Sequence, residues 1–216
     1  MVALARPDGH KMSDQKKVID ALGGKKGLLD SGLPALIFLI AFNIKHELQT
    51  AATAAIVTAL ILAILRLVKK DTLQHVISGL IGVVFCAFLA RKTGSAVDYY
   101  LPGLIINIVY GSVYLIANLI GLPILGLVLG PILGENLNWR KVAERKRAYI
   151  KASWLWVGLF GSRLIVQYPL YKSGNLTALG TARLVMGYPL FAAVAWGSWL
   201  IIKNVPAAIA PEKPQF

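Results

Sequence analysis

Residues 149–203 read YIKASWLWVGLFGSRLIVQYPLYKSGNLTALGTARLVMGYPLFAAVAWGSWLIIK, two apolar runs separated by Lys172 to Asn175. A helix needs about 20 apolar residues to cross about 30 Å of hydrocarbon, and each run has that length. So short a connection predicts two antiparallel membrane-spanning helices. Each carries one arginine, Arg163 about eight residues before the turn and Arg183 about eight after it. Working outward, similar runs occupy roughly 50–68, 73–90 and 100–120. A shorter run, Leu33 to Ile44, spans only if Asp30 and Ser31 cap it at the interface and Pro34 sits in the first turn.

Composition agrees with this reading. The 216 residues are 56% hydrophobic and 15% charged, far from the balance of a soluble globular domain. The net charge of +13 does not indicate nucleic acid, because the basic residues flank apolar runs instead of forming a separate polar face. The first 26 residues are polar and precede any long apolar run, which argues against a cleaved leader. Ser13 and Asp14 are placed to cap a short helix that Gly23 and Gly24 would stop. The single cysteine, Cys86, excludes an intrachain disulfide and a cysteine-rich metal site.

Lysine and arginine are retained on the cytoplasmic side of bacterial membranes. With six spans, 17 of the 23 basic residues fall on the side of both termini and four, Lys45, Arg91, Lys92 and Lys172, on the other. A seventh span at 121–135 would erase that asymmetry. That stretch holds Gly121, Gly126, Gly130, Gly134, Pro123 and Pro131, and reads as re-entrant or interfacial, with two overlapping Gly-xxx-Gly units suited to close packing.

The expected architecture is therefore an all-α polytopic membrane bundle of about six spans, 31–45, 50–68, 73–90, 100–120, 149–171 and 176–202, paired as three hairpins. Segment 1–27, partly without fixed structure, and tail 204–216 are cytoplasmic. The hairpins form at most a weak repeat. The protein is placed in the plasma membrane.

Arg163 and Arg183 are the residues most in need of explanation, since a buried arginine costs roughly 2.5–3.5 kcal/mol on insertion scales. Adjacent antiparallel helices put them at similar depth. Gln167 lies one turn after Arg163 on the same face, and Gly180 and Gly187 flank Arg183. Three readings stand: pairing with Asp98, Glu47 or a carbonyl, binding of an anionic ligand, or snorkelling to headgroups. The 100–120 run is the most polar, with Asn107, Tyr110 and Tyr114 on one face expected to point inward, and Ser112 and Asn118 nearby; Asn43 adds a polar residue to the first span. A basic helix at 136–148, carrying Arg140, Lys141, Arg145, Lys146 and Arg147, is expected to contact anionic cytoplasmic lipid.

Catalytic motifs are missing from the sequence, as are intramembrane carboxylates or histidines for a proton relay. An enzyme, a cofactor and a metal are accordingly not expected. Membrane lipid, anionic phospholipid included, and a second copy or another membrane protein are the expected partners.

LLDSGLPALIF at 28–38, LPGLIINIVYG at 101–111, ASWLWVGLFGSRLIVQYPLY at 152–171 and TARLVMGYPL at 181–190 together resemble an actinobacterial multi-spanning membrane-protein family, a domain of unknown function. The resemblance covers roughly residues 27–203 and implies a plasma-membrane location. The short first span followed by AATAAIVTALILAILRLVKK at 51–70 is similar, more distantly, to intracellular septation protein A, which implies a role in envelope integrity and division. Two functions follow: a non-enzymatic envelope or scaffold protein, or a small transporter, channel or lipid-handling protein that binds an anion through Arg163, Arg183 and Gln167.

Overall fold

The computed structural model describes residues 24–69 and 73–208; the expected short helix beyond Ser13 and the end of the tail lie outside them. Within this range every regular element is helical. They are α1 Gly24–Lys45, α2 Leu48–Val68, α3 Leu73–Thr93, α4 Leu101–Leu119, α5 Ile124–Ile132, α6 Ala143–Lys172, α7 Leu176–Val185 and α8 Tyr188–Lys203, with 3-10 turns at Ala96–Tyr100 and Asn138–Arg140. Three segments are long and apolar enough to cross a membrane, Leu48–Val68, Ala96–Leu119 and Leu176–Lys203, and Gly32–Lys45 is a shorter apolar helix. At 30 residues and about 45 Å, α6 also has the length, but Arg163 and Gln167 interrupt its apolar part.

The structure departs from the sequence reading at three boundaries. α1 is already helical at Gly24, where the described residues begin, so Asp30 and Ser31 lie inside the helix and do not begin it; the lysines and leucines preceding them are good helix formers. No separate basic helix occupies 136–148. After the 138–140 turn, α6 begins at Ala143 and continues unbroken to Lys172, because Ala143 to Lys146 all favour helix and Glu144 complements the positive end of the dipole. The expected last span is divided. α7 ends at Val185, and α8 starts at Tyr188 with Pro189 in its first turn. Proline has no N–H to donate and its ring clashes with the carbonyl four residues back, which here is that of Val185.

Two cores hold the bundle together. One gathers α1, α2, α3, the 96–100 turn and the start of α7 around Phe38, Leu39, Ala87, Tyr99 and Leu179. The buried side of α2 is all alanine, Ala51, Ala52, Ala55, Ala59 and Ala63, which lets its neighbours approach closely. The other joins α4, α5, α6 and α8 around Tyr149, Trp156, Leu159, Phe160 and Ile202. α7 bridges them by packing on both α1 and α6. α3 and α4 were expected to pair as a hairpin; instead α3 packs on α2 and the 96–100 turn, and α4 lies along α6.

Polar ties at the two ends reinforce this arrangement. At one end the Arg91 guanidinium donates to Thr53 Oγ1 (2.6 Å), Thr177 Oγ1 donates to Asn43 Oδ1 (2.6 Å), and the Tyr171 hydroxyl donates to Asp98 Oδ1 (2.6 Å). These bonds gather the ends of α1, α3 and α6 with the starts of α2 and α7. At the other end Asn118 Nδ2 donates to the Ile150 carbonyl (3.2 Å) and Arg145 reaches the end of α8.

Candidate functional site

The division between α7 and α8 leaves the Met186 carbonyl without a helical donor, while the Gly187 carbonyl accepts from Phe191 N (3.2 Å), and both are reached by Arg163 of α6. Its Nε donates to Met186 O and its Nη2 to Gly187 O, both at 2.8 Å. A cation at the C-terminal end of α7 is also favoured by the helix dipole. Arg183, on α7, donates through Nη1 to Tyr100 O (3.2 Å) and lies over the Tyr100 ring at 5.4 Å, a cation–π distance. Gly103 makes the room, since a Cβ there would overlap the Arg183 guanidinium. Gly180 lets α7 close on the first core: its Cβ would come within 2.7 Å of Leu39 and 3.0 Å of the Tyr100 hydroxyl.

Both arginines line one cavity of about 280 Å³, together with Gln167, Asn107, Gly180 and Gly187. The sequence-predicted convergence of Arg163, Arg183 and Gln167 is therefore present, and Asn107 joins it. Gln167 and Asn107 are only 2% and 7% exposed, yet neither amide has a hydrogen-bond partner among the described residues. The fully buried side-chain atoms without a partner among the described residues lie elsewhere, at Asn118 Oδ1, Trp139 Nε1 and Ser153 Oγ, so these two amides are polar lining of the cavity.

The proposed carboxylate partners are elsewhere. Glu47 accepts from Thr50 Oγ1 at 2.5 Å and Asp98 from Tyr171, and neither forms an ion pair with Arg163 or Arg183. Of the α4 face, Asn107 points inward and Tyr114 stacks on Trp156, with ring centroids 5.7 Å apart. Tyr110, expected inside, is 53% exposed, because it lies at the edge of the face that α6 covers. Among the described residues no group of three or more His, Cys, Asp and Glu side chains gathers to hold a metal.

The basic segment contains a second site that sequence reasoning assigned to lipid. Arg140, Lys141 and Arg147 are exposed and Lys146 is partly buried, but Arg145 is 3% exposed. Its Nε donates to Glu135 Oε2 at 3.1 Å, Nη2 pairs with Glu135 Oε1, and Nη1 caps Ile202 O (2.6 Å) and Val205 O (2.7 Å). The Tyr149 hydroxyl donates to Glu135 Oε2 at 3.2 Å. Arg145 is thus a buried structural residue and not a lipid contact. Glu135, the only acidic residue between Asp98 and Glu144, was the available signal.

The Gly126 and Gly130 pair has a different use from helix dimerisation. Cβ atoms at these positions would come within 2.9 and 2.8 Å of the Trp139 indole, which is fully buried and stands edge-on to Tyr149 at 5.4 Å. The glycines form its slot on α5.

A family of proteins of unknown function, DUF3159, matches residues 22–209. The chain belongs to that family. The DUF3159 match takes in both polar sites and every helix described, in keeping with the membership in a domain of unknown function that the motifs implied. Neither a curated protein nor a solved structure matches the chain. The three long apolar segments make this DUF3159 chain compatible with a membrane protein.

Proposed function

We propose that the chain is a six-span plasma-membrane protein, both termini cytoplasmic, that binds an anionic group in the Arg163–Arg183 cavity without catalysing a reaction. One observation carries this reading. Among the described residues, two guanidiniums and two amide side chains line one cavity, and no carboxylate there pairs with either arginine. The carbonyls of Met186, Gly187 and Tyr100 satisfy three N–H groups and leave the positive charges uncompensated. Ionisable residues at membrane depth ordinarily serve a ligand path or a partner. A helix broken at the binding site is the arrangement membrane transporters use for ions and small polar substrates.

The topology draws support from the end on which Asn43, Arg91, Asp98 and Thr177 gather, where the sequence puts all three outer turns. Single cysteines at positions 46, 94 and 174 in a Cys86→Ser background are expected to react with an impermeant maleimide from outside intact cells. Protection of any one of them would break the six-span scheme.

A scaffold role in the envelope, which the likeness to septation protein A implies, is favoured by the bonds themselves, because Arg163 ties α6 to the α7–α8 break and Arg183 ties α7 to the 96–100 turn. The readings separate on ligand linkage. An anion at a hundred times its Kd stabilises the folded protein by about 2.7 kcal/mol. Purified protein titrated with small anions at fixed ionic strength should melt at higher temperature, and Arg163→Gln and Arg183→Gln should each reduce the rise. If no anion raises the melting temperature, the arginines are structural and the scaffold reading stands.

A further inference from the structure

We infer that the ligand of this cavity is a dianionic phosphate group, free or carried as a monoester, an inference that rests on the anion-binding reading above. Charge, donor chemistry and size all point the same way. Among the described residues, the cavity holds two guanidiniums and no carboxylate. In a low-dielectric setting an unneutralised charge is costly, so a monoanion would leave one arginine uncompensated and a dianion would leave neither.

The side chains that face the ligand are rich in donors. Arg163 keeps three N–H groups after bonding Met186 and Gly187, and Arg183 keeps four after bonding Tyr100. The amides of Gln167 and Asn107 add two N–H each. A dianionic phosphate offers three strong acceptor oxygens in one compact group, and arginine forks match phosphate in bidentate fashion. The volume of about 280 Å³ falls just below the range of sites for drug-sized ligands. It accommodates a phosphate and a few attached atoms and excludes a nucleotide. A dicarboxylate carries the same charge but separates its two anionic groups, whereas Arg163 and Arg183 converge on one space between facing helices.

The source of the phosphate is free inorganic phosphate or the headgroup of a phosphatidate, and the experiment has an arm for each. The full-length protein is titrated with inorganic phosphate in detergent, and separately placed in phosphatidylcholine nanodiscs doped with phosphatidate or with phosphatidylglycerol, a monoanionic diester. Thermal unfolding reports binding. Protection by inorganic phosphate assigns a soluble ligand, and protection by phosphatidate alone assigns a membrane-borne one; either supports the inference.

Titration of the ligand gives a readout that needs no variant. The second ionisation of a phosphate monoester lies near pH 6, so binding should weaken about tenfold for each pH unit below it. Sulfate, which stays a dianion across this range, should show no such loss between pH 7 and pH 5. Gln167→Glu supplies a nearly isosteric internal counter-ion. It should raise the stability of the ligand-free protein and remove the phosphate response, whereas Gln167→Leu should only weaken it. Loss of one charged hydrogen-bonding partner, in Arg163→Gln or Arg183→Gln, should weaken phosphate binding roughly tenfold to hundredfold.

Protection by succinate or chloride equal to that by phosphate would overturn the phosphate assignment and leave the anion reading in place. So would phosphatidylglycerol acting as strongly as phosphatidate, or an undiminished phosphate response in Gln167→Glu. Failure of every anion would remove both.

Discussion

Arg145→Ala is expected to destabilise the folded protein by about 3–5 kcal/mol, the range for breaking a buried ion pair from one side. Glu135, fully buried, would keep its negative charge with only the Tyr149 hydroxyl as a donor. The carbonyls of Ile202 and Val205 would lose their cap as well. Thermal unfolding followed by helical circular dichroism in detergent measures the effect. Arg145→Lys keeps a charge but cannot bridge both Glu135 oxygens and both carbonyls, and should recover only part of the loss. Glu135→Gln combined with Arg145→Met should be milder than Arg145→Ala alone, because no charge is left buried. A loss below about 1 kcal/mol in Arg145→Ala would mean that water enters the pair, and the burial described for it would be wrong.

Trp139→Ala should cost a comparable amount, about 3–5 kcal/mol, since the indole is fully buried in the slot made by Gly126 and Gly130 and packs on Tyr149. Trp139→Phe provides the informative contrast. The indole Nε1 has no hydrogen-bond partner among the described residues, so phenylalanine keeps most of the packing and discards an unsatisfied donor. It should restore most of the stability in the same melting experiment. If Trp139→Phe is as damaging as Trp139→Ala, the Nε1 hydrogen has a partner, and the slot is more polar than its glycines suggest.

How far the sequence reveals this molecule depends on the kind of interaction. The convergence of Arg163, Arg183 and Gln167 was legible, because charges inside apolar runs stand out and a short turn fixes the depth of both helices. Asn107 was assigned only to an inward face, because a helical face does not say which cavity it meets. Arg145 was misread for a general reason. Five basic residues close together look like a solvated or lipid-facing cluster, and nothing local marks which one has a partner ten residues upstream in Glu135. The α7–α8 break was visible as Gly187-Tyr188-Pro189, but the apolar run around it has the length of one span, and length outweighed the proline. The loose association of α3 with α4 had no local signature, because pairing between sequential helices depends on which other helix offers the better surface.

Both cores draw on the last helices described, α7 and α8, which are made after the rest of the bundle, and this bears on biosynthesis. Leu176 and Leu179 complete the first core and Ile202 the second, while Arg145 finds its carbonyl partners 57 and 60 residues downstream. The helices made first therefore enter the bilayer without their final neighbours. Until Val205 leaves the ribosome, Arg145 has Glu135 but no cap on α8, and the bundle stays open at that end. Nascent chains stalled before this point would present unclosed polar groups to proteases, so degradation of such intermediates should fall sharply once Val205 has left the ribosome.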